Sequence, residues 1–189
     1  MIDIEVPTTV LKAVSAVAPK KDAREYLVSV CLDMGADGAH LVATDGVVLA
    51  AVKISAESFP PESVTIPVSL VTQVKAKAKN EFVRVVVQDR EPGETGARKI
   101  MLAVGGAEYS AAEIEGTYPD WRRVIPKDLA GGVAVFAPGV VRKAMQFWES
   151  LGAGVVEIMF NGPECVARVE GRCSAWSEDA TFIMMPCRR

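Results

Sequence analysis

Three times along the chain a short β-branched run leads into a proline and then into a stretch with helical apolar spacing. The three stretches are IEVPTTVLKAV, VTIPVSLVTQV and AVFAPGVVRKAM. Counted from Pro7, Pro67 and Pro138, the third residue on is Val10, Leu70 or Val141, and the seventh is Val14, Val74 or Met145. Apolar side chains four apart share one helix face. A proline suits the first helical turn, where its missing N–H costs no hydrogen bond. The pattern predicts three amphipathic helices, each entered from a strand.

Strand-like runs follow each helix. The first has REYLVSVCLDM, the turn GADG, AHLVATDG and VVLAAVKI; the second has EFVRVVVQD, the polar loop EPGETGAR, KIMLAVGG and AEYSAAEIEG. The third has GVVEIMFN, the turn GPE, CVARVEG and SEDATFIMMP. β-Branched residues between Gly, Asp and Asn punctuation predict antiparallel meanders. Each unit therefore reads β-α-β-β-β, and the chain holds three, an α+β architecture. Breaks fall near FPPES (59–63) and PKDLAGG (126–132). They suggest a two-unit domain over 1–127 and a single unit, half a domain, over 128–189.

Composition narrows the function classes. The 189 residues are 50% apolar and 24% charged, ordinary for a folded protein with a real core. No apolar run reaches the eighteen or so residues of a membrane span. The start, MIDIEVPTT, lacks a signal peptide's basic and apolar regions, so a cytoplasmic location is expected. Cys31, Cys165, Cys173 and Cys187 show no CxxC spacing and His40 is the sole histidine, so no metal site or cofactor is expected. The sequence also lacks a GxSxG elbow, a GxxxxGK[ST] loop and an HExxH helix. Asp45, ahead of Gly46, reads as a turn residue rather than a general base. No catalytic constellation is present, and the protein reads as a non-enzyme.

Charge is partitioned between helices and strands. Residues 7–26 carry a net +2, residues 67–80 a net +3 and residues 138–151 a net +1, in a chain of net −3. The helices thus total +6 and the remainder −9. A one-sided basic surface attracts a polyanion. No aromatic residue interleaves with these lysines, which fits contact with a duplex backbone better than stacking on single strands.

REYLVSVCLDM followed by LVATDGVVLA, then GTYPDWRRVIPK and a closing FIMMPCRR, resembles the bacterial sliding clamp family, the DNA polymerase III beta subunit. The resemblance implies a DNA-clamp-like fold with antiparallel sheets outside and helices on one face, lining a basic hole around duplex DNA. Residues 1–127 resemble the family's middle domain and residues 132–189 the last unit of its final domain. The phosphate-facing candidates are Lys12, Lys20, Lys21, Arg24, Lys75, Lys77, Lys79, Arg142 and Lys143.

The resemblance also implies an apolar pocket for a linear motif of DNA polymerase and other partner proteins. Its matching residues here are Thr44, Gly46, Leu49, Pro119, Arg123, Val124, Ile183, Met185, Pro186 and Cys187. After TDG the family commonly carries polar and basic residues, whereas this chain has Val47 and Val48. The expected function is that of a processivity factor encircling duplex DNA non-specifically. The alternative is a clamp-like module outside any ring, which regulates or competes for clamp-binding proteins. Family rings hold twelve units and this chain three, so a homo-oligomer is expected, with a head-to-tail ring tetramer the simplest closure.

Overall fold

The computed structural model describes every residue except 76, 77, 79, 80, 90–95, 127–133, 161, 163, 173–178, 188 and 189. The first unit runs β1 (Ile2–Pro7), α1 (Thr8–Ser15), β2 (Ser29–Gly35), β3 (Gly38–Thr44) and β4 (Val48–Ser55). The second runs β5 (Glu62–Pro67), α2 (Val68–Val71), β6 (Phe82–Val87), β7 (Lys99–Val104) and β8 (Ala107–Ala112). The third holds α3 (Pro138–Ser150), β9 (Val155–Phe160), β10 (Ala167–Arg172) and β11 (Ala180–Met184). Single 3-10 turns cover Glu25–Leu27 and Trp121–Val124.

Two antiparallel sheets result, ordered β1-β6-β7-β8 and β5-β2-β3-β4-β11-β10-β9. The first two units exchange their leading strands. β1 crosses to the second unit's meander with Pro7 opposite Phe82, and β5 crosses to the first unit's with Pro67 opposite Ser29. The third unit joins through last strands: β11 pairs with β4, placing Phe182 opposite Ala50.

The helices lie side by side on one face, with α1 touching both α2 and α3. Strand alternation sends Val30, Leu32, Leu41, Ala43, Ala50 and Phe182 toward them, into one core shared by all three units. The opposite face of the same strands presents Cys31, Val42, Leu49, Ala51 and Ile183, covered by Tyr118 and Trp121 in a second, smaller core. α3 seats closely on its sheet. Trp148 lies against Gly171, where an added Cβ would come within 2.3 Å of the indole. Its ring N–H donates to the Val169 carbonyl at 3.2 Å.

Three sequence expectations change. The helix expected after Pro67 is one turn long. β-Branched residues dominate VSLVTQV, and the Thr72 hydroxyl and Gln73 amide donate to the Ser69 carbonyl, competing with the helical ladder. The proline alignment is also one residue out in the third unit. Pro7 and Pro67 precede their helices as N-caps, whereas Ala137 is the N-cap of α3 and Pro138 its first residue. Val10, Val14, Leu70 and Val74 are buried as expected; their counterparts counted from the N-cap are Val140 and the fully buried Ala144, while Met145 also packs against the core, half-buried, and Val141 does not. Finally, residues 134–137 form no strand, because no described strand stands beside them to complete a ladder. Among the described residues no helix is long and apolar enough to cross a membrane.

Candidate functional site: an apolar cavity and a basic helix face

The TDG turn between β3 and β4 is built by its own side chains. Thr44 Oγ1 donates to the Val48 carbonyl at 2.6 Å and accepts from the Gly46 amide at 3.0 Å. Asp45 Oδ1 accepts from the Val47 and Val48 amides, each at 2.9 Å. Gly46 sits at φ +88 with the Arg24 guanidinium 3.3 Å from where a Cβ would stand, so a side chain there meets both strain and a neighbour. Lys143 of α3 completes the turn with an ion pair to Asp45. Burial pushes the Asp45 carboxyl up, but Lys143 and the two amides outweigh it, so it titrates below the usual carboxylate range.

The YPDW segment is fastened to the same sheet face. Trp121 Nε1 donates to Asp33 Oδ2 at 2.8 Å. Arg122 pairs with Asp33 and Asp37 and stacks 4.3 Å from the Trp121 ring centre. The His40 ring packs against the same indole, tilted with centres 5.3 Å apart, and burial lowers its pKa below 6.5.

Between this segment, the TDG turn and the end of β11 lies an apolar cavity of about 130 Å³. Seven of the ten sequence candidates line it: Thr44, Gly46, Leu49, Pro119, Val124, Ile183 and Met185. Arg123, Pro186 and Cys187 do not. Arg123 is exposed on the 3-10 turn, and the tail passes beyond the cavity to bond the Cys187 amide to the Val135 carbonyl at 2.7 Å. Val47, Val48, Asp120, Trp121 and Val166 join the wall. Val47 and Val48 were visible as apolar residues after TDG, and Trp121 as part of YPDW. Val166 carries no sequence signal, since only the β10–β11–β4 pairing brings it there. A larger depression of about 580 Å³ beside Ser63 and Glu113 is polar, and its Arg98 is taken up by Glu113 (2.7 Å) and Glu62.

Of the phosphate-facing candidates, Lys12 on α1 and Arg142 on α3 are exposed, as are Lys20, Lys21 and Lys75, which lie in the loops beyond the ends of α1 and α2 rather than on helices. Among the described residues none of the five makes a salt bridge. Lys77 and Lys79 lie outside the described residues. Arg24 and Lys143 are engaged already, with Asp22 and Asp45. On the sheet side the arginines are neutralised: Arg84 by Asp3, Arg98 by Glu113, Arg122 by Asp33, Arg168 by Glu170 and Arg172 by Glu157. Among the described residues, the cations without a salt bridge are thus Lys12 and Arg142 on helices, Lys20, Lys21 and Lys75 in loops, Lys53 and Lys99 on strands and Arg123 on the 3-10 turn.

This architecture is that of a sliding clamp. Structures of DNA polymerase III beta subunits match the whole chain at low identity, and the likeness is one of fold. The Pseudomonas aeruginosa subunit matches with a TM-score of 0.73 at 15% identity, covering 100% of this chain and 67% of that one. The Bacillus subtilis sliding clamp gives 0.75 at 15% identity and 64% of its chain, and a putative beta subunit from Eubacterium rectale gives 0.76 at 10% identity and 66%. The chain therefore spans about two thirds of the length of the clamps it matches. No protein-family model matches the sequence, and no curated protein matches it either.

Proposed function

We propose that the protein is a non-catalytic processivity factor that oligomerises into a ring around duplex DNA, a tetramer in the simplest case, and holds a polymerase peptide in its apolar cavity. The observation that carries this reading is the set of exposed cations on and just beyond the helices. The strand arginines Arg84, Arg168 and Arg172 are ion-paired, although Lys53 and Lys99 on the strands carry no salt bridge among the described residues. Lys12 on α1, Arg142 on α3, and Lys20, Lys21 and Lys75 in the loops after α1 and α2 are exposed and carry none either, which leaves them available to phosphate. Diffuse phosphate contacts give salt-sensitive, sequence-independent attraction, which permits sliding. The topological link, not affinity for a site, then supplies processivity.

The charge reversal Lys12→Glu, Lys75→Glu and Arg142→Glu tests it, since all three side chains are exposed and unpaired. Retention on circular duplex DNA is expected to collapse, with the slope of log affinity against log salt shallower by about three. A folded triple variant retained like the wild type contradicts the assignment.

A second reading has its own support: the TDG turn, the YPDW segment and the end of β11 form the cavity within one protomer. A lone protomer is therefore equipped to compete for clamp-binding peptides without a ring. A wild-type protein that stays monomeric yet binds such a peptide selects this reading.

A further inference from the structure

We propose that the third unit completes itself with a second copy of the chain, the two copies exchanging residues 134–137 across a twofold axis. Within the chain, a unit is finished when its meander receives the leading strand of its neighbour, as β2 receives β5 and β6 receives β1. The third unit has the two halves of this device and, among the described residues, a partner for neither. Among the described residues β9 ends the seven-stranded sheet and pairs with β10 alone. Its equivalent β2 is almost wholly buried, whereas Val155 is 59% and Ile158 40% exposed.

The donor is already in position. Ala137 caps α3 with φ −64 and ψ 138, as Pro67 caps α2 with φ −56 and ψ 134. The Val135 carbonyl accepts from the tail amide of Cys187 at 2.7 Å, as the Thr65 carbonyl of β5 accepts from Ile114 at 3.2 Å. Each acceptor lies two residues before its N-cap, and each donor lies three or two residues past its unit's last strand. Residues 134–137 are therefore held like β5 on one edge, and their other edge faces no described strand. Val135 on this segment is 43% exposed.

The register follows from the two exchanges inside the chain, where the residue before the helix meets the first residue of the accepting strand. Ala137 then faces Val155 of the second copy, and Ala134 faces Ile158. By the alternation of β5 on β2, the amides of Val156 and Ile158 point to the incoming segment. Donor and acceptor sit on one unit, so the contact is self-complementary and closes as a dimer rather than propagating. It also removes an open sheet edge carrying apolar side chains, the kind of edge that invites another strand. The inference rests on strand topology and stands whether or not DNA passes through the assembly.

Light scattering and oxidative cross-linking test it together. The wild-type mass is expected at an even multiple of 20.2 kDa. Ile158→Pro, which removes an outward amide without touching the β9–β10 ladder, is expected to halve it. The pair Ala137→Cys and Val155→Cys, with Cys165, Cys173 and Cys187 changed to serine, is expected to give a covalent dimer that neither single cysteine gives. A monomeric wild type, an unchanged mass for Ile158→Pro, or an oligomer whose cysteine pair fails to cross-link overturns the proposal. Loss of DNA retention with these results intact bears on the clamp reading instead.

Discussion

His40 is the sole histidine, half-buried against Trp121 with its Nδ1 unpartnered among the described residues. Burial favours its neutral form, so its folded pKa lies below 6.5. As pH falls below 6.5 the unfolded chain takes up this proton first, and stability declines until the folded pKa is passed. Thermal melts between pH 7 and 5 are expected to show this slope, and His40→Gln to flatten it. At the cavity, side chains divide by role. Leu49 is 5% exposed and belongs to the outer core, so Leu49→Ala is expected to cost about 2–5 kcal/mol of stability. Met185 is 47% exposed and free to adapt to a ligand. Met185→Ala with Val47→Asp is therefore expected to weaken a clamp-binding peptide at least tenfold from about micromolar, near −8 kcal/mol, without lowering the melting temperature. Calorimetry with the peptide checks this, and unchanged binding assigns both side chains to packing. The TDG and YPDW residues were readable as pocket candidates through the family resemblance, and Asp45 as a turn residue through the glycine after it; Thr44, Gly46 and Pro119 do line one cavity. Lys143 was not readable as a turn clamp, because only tertiary packing brings α3 over Asp45.

At the scale of elements, proline–helix spacing and Gly/Asp punctuation marked every helix and meander, since both arise from local backbone preference. Strand exchange was hidden, because a leading strand shows its own pattern but not which meander accepts it. The same gap explains 134–137, which looks like a strand in AVFAP and lacks a ladder to join. The third helix was one residue out of register because proline is tolerated at both the N-cap and the first helical position. Close seating of α3 gives an independent check. Gly171→Ala drives a Cβ to 2.3 Å from Trp148 and 2.9 Å from the Ala153 Cβ. It is expected to destabilise by about 1–3 kcal/mol in urea titration, whereas Gly139→Ala, with open space around it, is expected to be near neutral.

At the scale of the molecule, the free edges suggest how a ring closes. Two copies joined through their third units form three two-unit bodies in a row, with β8 at either end. β4 and β11 already pair last strand to last strand, and β8 is a last strand whose outer edge meets no described strand. Two such dimers meeting at β8 bring together twelve units in four chains. Like then meets like at each joint, in place of the head-to-tail contacts that unit counting alone suggested. In such a ring the helices face inward with the exposed, unpaired Lys12 and Arg142, which draws DNA into the hole. The most direct measurement is retention of the wild-type protein on one plasmid, compared as a closed circle and after a single linearising cut, at moderate salt. A topological link predicts retention on the circle and loss by sliding off the ends of the linear form; equal retention on both forms contradicts it.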